Sequence, residues 1–502
     1  MMNTLVRFAM KPNNRLALSA VMLATLSACT FAPDYQRPAL PVPASYSEAA
    51  APTAASTTVP AAELDWRDYF TDPQLRGLIE QALQNNRNLR LAALRIDEAR
   101  AAYQIQGAAL LPAVGASAGV TRIGLPGDSG LLGSSGVSQS YSASVGLTSW
   151  EIDFWGRVRN LKGAALESYL ASEAAHRAVA LSLVTQVAQA WLGLRDLDER
   201  IVLAKQTVAS RAESLRIFRQ RVKAGATSKL DLTQVEVLWQ QTNTLLSQLE
   251  QQRAAQEHAL ELLVGAEPQW LPAAPQSDDA TLLRELAPGL PSDLLENRPD
   301  IIAAEHQLKS ANANIGAARA AFFPQVTLTG FAGSSSSELN NLFKSGSGLW
   351  IFAPSLSLPI FDGGQRRANL ELSQVQRDEA VAQYEQSIQQ AFRDVRDALS
   401  TRRALEDQVQ ILRAAQASQA ERARLARLRY DNGAAAFLEV LDAERDQLTA
   451  QQSLVQTRYA LLASRVGLYA ALGGGMRARR EETPPAPAAA TQGHEQNGSP
   501  SP

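Results

Sequence analysis

The sequence predicts an α+β membrane protein, built as an internal tandem repeat, whose four β-strands close a barrel only when several chains combine. Three observations carry this reading. Motifs return in the same order at a spacing of 208–212 residues. Each copy holds a pair of period-two stretches, and each pair is followed by a very long heptad seam.

Residues 1–28 read as a signal peptide: Arg7, Lys11 and Arg15 precede an apolar run over 16–26, and small residues follow. Leu26-Ser27-Ala28-Cys29 ends on the only cysteine and looks like a lipobox, cut before Cys29 and acylated on it. A plain signal peptide with a buried cysteine is the competing reading; the polar, Pro-rich stretch directly after favours the lipid anchor. Thr30, where an aspartate would resemble an inner-membrane retention signal, favours the outer membrane. Losing three basic and no acidic residues takes the formal charge from −2 to −5. Residues 29–62, rich in Pro, Ala, Ser and Thr, read as an extended tether.

Two repeats follow, over 63–270 and 271–475. Asn86-Arg87-Asn88 returns as Asn297-Arg298-Pro299. Ala108-Ala109-Leu110-Leu111-Pro112 returns as Ala320-Ala321-Phe322-Phe323-Pro324, and Arg221-Val222-Lys223-Ala224-Gly225 as Arg429-Tyr430-Asp431-Asn432-Gly433. Each copy opens with a helical pattern of about thirty residues that stops at Pro112 or Pro324. Strands come next. Val114, Ala116, Ala118 and Val120 alternate with Gly115, Ser117, Gly119 and Thr121, and Tyr141, Ala143, Val145 and Leu147 with Ser142, Ser144, Gly146 and Thr148. In the second copy Val326 and Leu328 alternate with threonines, and Trp350, Phe352, Leu356, Leu358 and Ile360 share a face that Pro354 interrupts.

The long helix after the first strand pair shows its seam in Leu183, Val187, Ala190, Leu194, Leu197 and Ile201, with Arg211 as the one break. From Arg157 to Val222 it spans some 66 residues, roughly 100 Å. Copy two repeats it through Ile388, Phe392, Val395 and Leu399, with a phase shift afterwards. Gly225 and Gly433 end the long helices, and return helices run to Gly265 and Gly473. Residues 476–502 read as a disordered tail.

Composition narrows the function. With 48 basic and 50 acidic residues, the chain carries no charge excess that would suit nucleic acid. One cysteine and four scattered histidines give no metal set and no nucleophile–base constellation. No apolar run is long enough to span a bilayer as a helix. Four strands cannot close in lipid, because an open edge leaves backbone groups unpaired. Three copies supply twelve strands; two supply eight and little lumen. Helices of roughly 100 Å must then project from the membrane, continuing the barrel as a tube.

The run Gly289-Leu290-Pro291-Ser292-Asp293-Leu294-Leu295-Glu296-Asn297-Arg298-Pro299-Asp300-Ile301, with Ala317 to Pro324, closely resembles outer-membrane factors of the TolC/OprM type. Pro33-Asp34-Tyr35-Gln36-Arg37-Pro38, after the lipidated cysteine, is similar to the acylated, OprM-like branch. The resemblance spans residues 26–475. It implies a homotrimer with a twelve-stranded β-barrel in the bacterial outer membrane, continued by a twelve-helix α-barrel tunnel through the periplasm. It implies the exit duct of a tripartite efflux system, passively conducting drugs or other small molecules. The implied partners are a periplasmic adaptor (membrane fusion protein), a proton-driven inner-membrane transporter and outer-membrane lipid; no nucleic acid, enzyme activity or metal is implied, and no cofactor beyond the lipid on Cys29. A duct for type I protein secretion or heavy-metal export is the alternative within this architecture. A non-pore, lipid-anchored periplasmic scaffold is the alternative outside it, and the paired strands argue against that.

The resemblance also assigns sites. Gly225 and Gly433 match tip glycines that meet the adaptor; an ordinary helix cap is the simpler reading of both. Asp231, Glu439 and Asp442 match acidic constriction residues, which three chains would set in rings that favour cations. Ser228-Lys229-Leu230-Asp231 equally reads as a capping box, whereas Ala436 leaves Glu439 without that explanation. Tyr430, Arg221 and Arg429 fall where the family links neighbouring hairpins, or are solvated charges at a helix end. Ala435 stands where some members carry a basic residue, so a latch built on that residue cannot form here. Trp150, Trp155 and Trp350 lie near strand ends, as an interfacial belt or as packing.

Overall fold

The computed structural model describes residues 30–43, 45–46, 64–125, 136–268, 282–286 and 293–475. The signal peptide, Cys29 and the 476–502 segment lie outside them. The first repeat comprises α1 (Trp66–Tyr69), α2 (Pro73–Asn85), α3 (Arg87–Ala108), β1 (Val114–Leu125), β2 (Gly136–Ile152), α4 (Arg157–Lys223) and α5 (Lys229–Val264). The second comprises α6 (Leu294–Asn297), α7 (Pro299–Ala320), β3 (Gln325–Ser336), β4 (Gly348–Ser357), α8 (Gln365–Asp431) and α9 (Phe437–Ala471). Among the described residues no helix is long and apolar enough to cross a membrane.

The helical stretch before each strand pair is two helices, not one. Asn86 divides the first: its side-chain oxygen accepts from the Asn88 and Leu89 amides at 2.9 and 3.0 Å, capping α3. Its amide donates to the Leu263 carbonyl at 2.8 Å, tying that cap to the end of α5. In the second copy Pro299 opens α7, where its missing N–H costs nothing. The glycine partners recur: a Cβ on Gly265 would lie 2.6 Å from the Asn85 carbonyl oxygen, and one on Gly473 would lie 2.8 Å from that of Asn297. The repeated Asn-Arg and terminal-glycine motifs are thus the two halves of one joint.

Helices α4 and α8 each run 67 residues, about 100 Å. The seam positions Leu183, Val187, Leu194 and Ile201 on α4, and Ile388 and Val395 on α8, are buried. Helix α4 packs along α5 and α7, α8 along α9, and α9 also against α4, so the two repeats interlock. Their shared core centres on Tyr69 and Tyr469, stacked 4.3 Å apart.

The strands form one antiparallel sheet in the order β1-β2-β3-β4, with β2 and β3 joining the repeats. One face carries Val114, Val120, Val145, Leu328, Phe352 and Trp350; the other is mostly Gly, Ser and Thr. Ser117 and Ser144 meet at 3.0 Å and Ser140 and Ser335 at 3.1 Å on that small polar face. A bulge between Leu147 and Trp150 adds one residue to β2, with Ser149 at φ 52. It keeps Trp150 and Ile152 on the apolar face and Glu151 on the polar one, which simple alternation would have reversed. Pro354 does not interrupt β4: it sits in register opposite Leu328, on the outer strand of the chain's own sheet. Leu358 and Ile360 lie beyond the strand end.

The described part of the tether is a strap docked on α4 and α7. Phe31 stacks on Phe323 at 4.5 Å, and Asn312 donates to the Pro33 carbonyl at 2.7 Å. Arg37 donates to both carboxylate oxygens of Glu305, at 3.1 and 2.9 Å, and the Tyr35 hydroxyl adds a bond at 3.1 Å. Trp155 donates to the Pro324 carbonyl at 2.8 Å and stacks on Phe323 at 4.9 Å, so it packs the junction of barrel and helices.

Candidate functional site: the two helical tips

Hairpins α4–α5 and α8–α9 turn in the same way. At the first tip the Ala226 amide donates to the Arg221 carbonyl at 2.8 Å and the Gly225 amide to Val222 at 3.0 Å. At the second, Ala434 donates to Arg429 at 2.8 Å and Gly433 to Tyr430 at 2.9 Å. This pair of bonds satisfies the orphan carbonyls of a helix end and needs a left-handed residue. Gly225 and Gly433 both take φ 73. A Cβ at either would meet nothing within 4 Å, so the backbone conformation demands glycine and packing does not.

The acids that follow behave differently. Asp231 and Glu439 occupy equivalent places in the first turn of their return helices. Ser228 accepts from the Asp231 amide at 3.0 Å, and the Asp231 carboxylate accepts from the Ser228 amide at 3.2 Å, from its hydroxyl at 2.7 Å and from Thr227 at 2.8 Å. The capping box is therefore complete, and the hydroxyls of Ser228 and Thr227 hold the Asp231 carboxyl below the usual carboxylate range. Ala436 gives α9 no side-chain cap. Glu439 instead takes an ion pair from Arg429 at 2.6 Å. Arg221, the equivalent of Arg429, finds its acid already engaged and donates across to the Tyr430 hydroxyl, joining the two hairpins. Its guanidinium lies 5.6 Å from the Phe218 ring centre. Asp442 pairs with Arg445 at 3.3 Å, and Arg445 also reaches Asp446, which accepts from Arg422 of α8 at 2.7 Å.

Beneath these contacts lies a small apolar core. Phe437 packs on Phe218 with ring centres 4.4 Å apart and on Tyr430 at 4.8 Å, among buried Val235, Val440 and Leu441. Sequence reasoning missed this ring cluster, and it missed the role of Arg211. That arginine, the break in the seam, is only 4% exposed. It donates to the Leu238 carbonyl at 2.9 Å and to the Thr242 hydroxyl, while Nε and Nη2 have no hydrogen-bond partner. Burial lowers its pKa, against the pull of Glu444 on α9. Burial likewise raises Glu444, with Arg427 and Arg211 opposing. A charged residue breaking a heptad was the available signal. The tip ion pairs are exposed or half-exposed, each worth about 0–1 kcal/mol. Among the described residues no group of three or more His, Cys, Asp or Glu is placed to hold a metal.

Comparison with known proteins follows the same outline. Residues 78–266 and 290–474, one stretch in each repeat, match the family described as outer membrane efflux protein. The toluene efflux pump outer membrane protein TtgC of Pseudomonas putida is 43% identical over 458 residues, covering 91% of this chain and 94% of the relative. Outer membrane protein OprJ of Pseudomonas aeruginosa is 43% identical over 463 residues, covering 91% and 95%. The open state of the MtrE outer membrane channel of Neisseria gonorrhoeae superposes with a TM-score of 0.81 at 36% identity, covering 89% of this chain and 99% of that one.

Proposed function

The chain belongs to the outer membrane efflux protein family and is an outer-membrane efflux channel, and on that premise we propose that three copies form the exit duct of a tripartite pump. The observation that carries the reading is the sheet: two unpaired edges, one apolar face and one small polar face, set on helices of about 100 Å. Twelve strands close with the apolar face to lipid and the polar face to a wet lumen. Exposed Leu91 and Leu94 on α3, and Leu372 and Val375 on α8, supply apolar surface for the neighbouring chains. Thr30 donates to Asn160 near the start of α4, so a lipid on Cys29 enters the membrane at the base of the barrel.

The tips close the periplasmic end and receive a periplasmic adaptor, which links the duct to a proton-driven inner-membrane transporter. Glu439 and Asp442, and Asp231 where its cap lets it face the axis, make the carboxylate rings of the closed end. The cargo is small organic molecules; the name of the Pseudomonas putida relative makes toluene a suitable first probe. Single-channel conductance of the purified trimer tests this. The expected result is a small, cation-selective conductance that grows and loses selectivity in Glu439→Ala/Asp442→Ala. No conductance from a verified trimer, in either form, overturns the channel.

A further inference from the structure

The core beneath the tips is apolar except for one layer. Leu215, Phe218, Val235, Phe437, Val440 and Leu441 pack together, and Arg211 stands one turn further from the tip on the α4 seam, 4% exposed. Apolar layers tolerate sliding, because a shift of one turn sets one apolar side chain in place of another; a buried polar residue singles out one register. In this register the buried Thr242 hydroxyl and the Leu238 carbonyl of α5 both accept from Arg211 Nη1. A slipped register leaves that charge in the core without acceptors. Helix α5 satisfies the side chain only in part, since Nε and Nη2 have no hydrogen-bond partner.

The internal repeat shows what else is unusual in this layer. At a spacing of 208 residues Arg219 returns as Arg427, Lys223 as Asp431 and Glu236 as Glu444. In the first hairpin Arg219 pairs with Glu236 at 3.3 Å. In the second, Asp431 takes Arg427 at 3.5 Å. Glu444 is half-buried and, among the described residues, has neither an ion pair nor a hydrogen bond. Arg427 of α8 and Arg211 of α4 attract it from beyond ion-pair distance, and Arg445 of α9 opposes Arg211. Gln419 stands where the second copy would repeat Arg211, and accepts from Arg422 of its own helix at 3.4 Å. We propose that Arg211 and Glu444 are a positioning pair: their attraction across the interface fixes the axial register of hairpin α8–α9 against α4–α5, and so keeps Tyr430 opposite Arg221 at the tips. A slide of one turn, about 5.4 Å, carries Glu444 away from Arg211 and sets its carboxylate among apolar side chains, where an unmatched charge costs most.

The purified full-length protein in detergent tests this, by circular dichroism on heating and by amide exchange. Arg211→Met fills the seam and removes the buried charge, so the midpoint of helix loss is expected to stay level or rise. Amides at both tips, over 221–235 and 429–443, are nonetheless expected to exchange about tenfold faster, a loss of about 1.4 kcal/mol. A residue that only packed the core would move both readouts together. Glu444→Gln should also speed exchange at both tips. The double variant should go no further than the larger single change, because both break one layer. Glu236→Gln, the counterpart in the first hairpin, should leave exchange within about twofold. Unchanged exchange in Arg211→Met or in Glu444→Gln, a lower midpoint in Arg211→Met, or an equal effect of Glu236→Gln each overturns the positioning pair. Neither readout uses conductance, so a failure here leaves the channel standing, and a wild-type protein that conducts nothing leaves the pair standing.

Discussion

Positions 231 and 439 start from equivalent places and end in different bonds, and the residue that decides between them lies three positions earlier. Ser228 recruits Asp231 into a cap, whereas Ala436 leaves Glu439 to Arg429. Ser228→Ala should therefore cost about 1 kcal/mol at the first tip, read as faster amide exchange over residues 229–233. The converse change should rewire the second tip. Ala436→Ser completes a Ser-x-x-Glu capping box, and Glu439 turns from Arg429 to the new cap. A double-mutant cycle on Arg429 and Glu439 should then show less coupling in the Ala436→Ser background than in the wild type; equal coupling would refute the exchange. The capping box at Asp231 was legible because it is local. The Arg221–Tyr430 bond was legible only through the resemblance, which placed both residues where neighbouring hairpins link; no local signal shows it, since its partners lie in different repeats and meet only once the hairpins pack.

Elements follow their sequence periods closely where one period governs. The seam placed the first long helix at 157–222, against 157–223 in the structure. Strand β2 shows where periodicity runs out. Reading Leu147-Thr148-Ser149-Trp150-Glu151-Ile152 as strict alternation sends Trp150 inward and Glu151 to lipid; the extra residue at Ser149 reverses both. Deleting Ser149 should therefore remove the bulge, keep Trp150 and Glu151 on their present faces by plain alternation from Leu147, and leave trimer assembly intact, assayed by resistance of the assembly to detergent and heat; loss of assembly would refute this reading of the extra residue. Ser149→Gly should leave assembly intact, because the left-handed conformation suits glycine better. No local signal marks the bulge, since it is set by the register of β3.

At the scale of the molecule, the Pro/Ala-rich stretch that composition reads as an extended tether is anchored in its described part: Phe31 stacks on Phe323, just past α7, and Tyr35 and Arg37 bond Glu305 on α7. Burial alone would raise the Glu305 pKa, but Lys309 and Arg37 outweigh it and hold the carboxyl below its ordinary value. A depressed acid stabilises the folded form above its unfolded pKa, about 4.3, and that contribution is lost as pH falls through the lower folded value. The strap should thus stay protected from protease at pH 7 and loosen below about pH 4. Glu305→Gln should loosen it already at pH 7, and identical cleavage of wild type and variant at every pH would refute this role for Glu305.

The unlike tips have a consequence for symmetry. In the proposed trimer three chains present six hairpin ends, alike in backbone because both turns close with the same bonds. In their side chains they are of two kinds, one from each repeat. A partner that met them as six identical subunits would occupy two alternating environments, three of each. Its subunits would have to work as unlike pairs, so a substitution at one kind of end would weaken half the contacts and leave the other half intact.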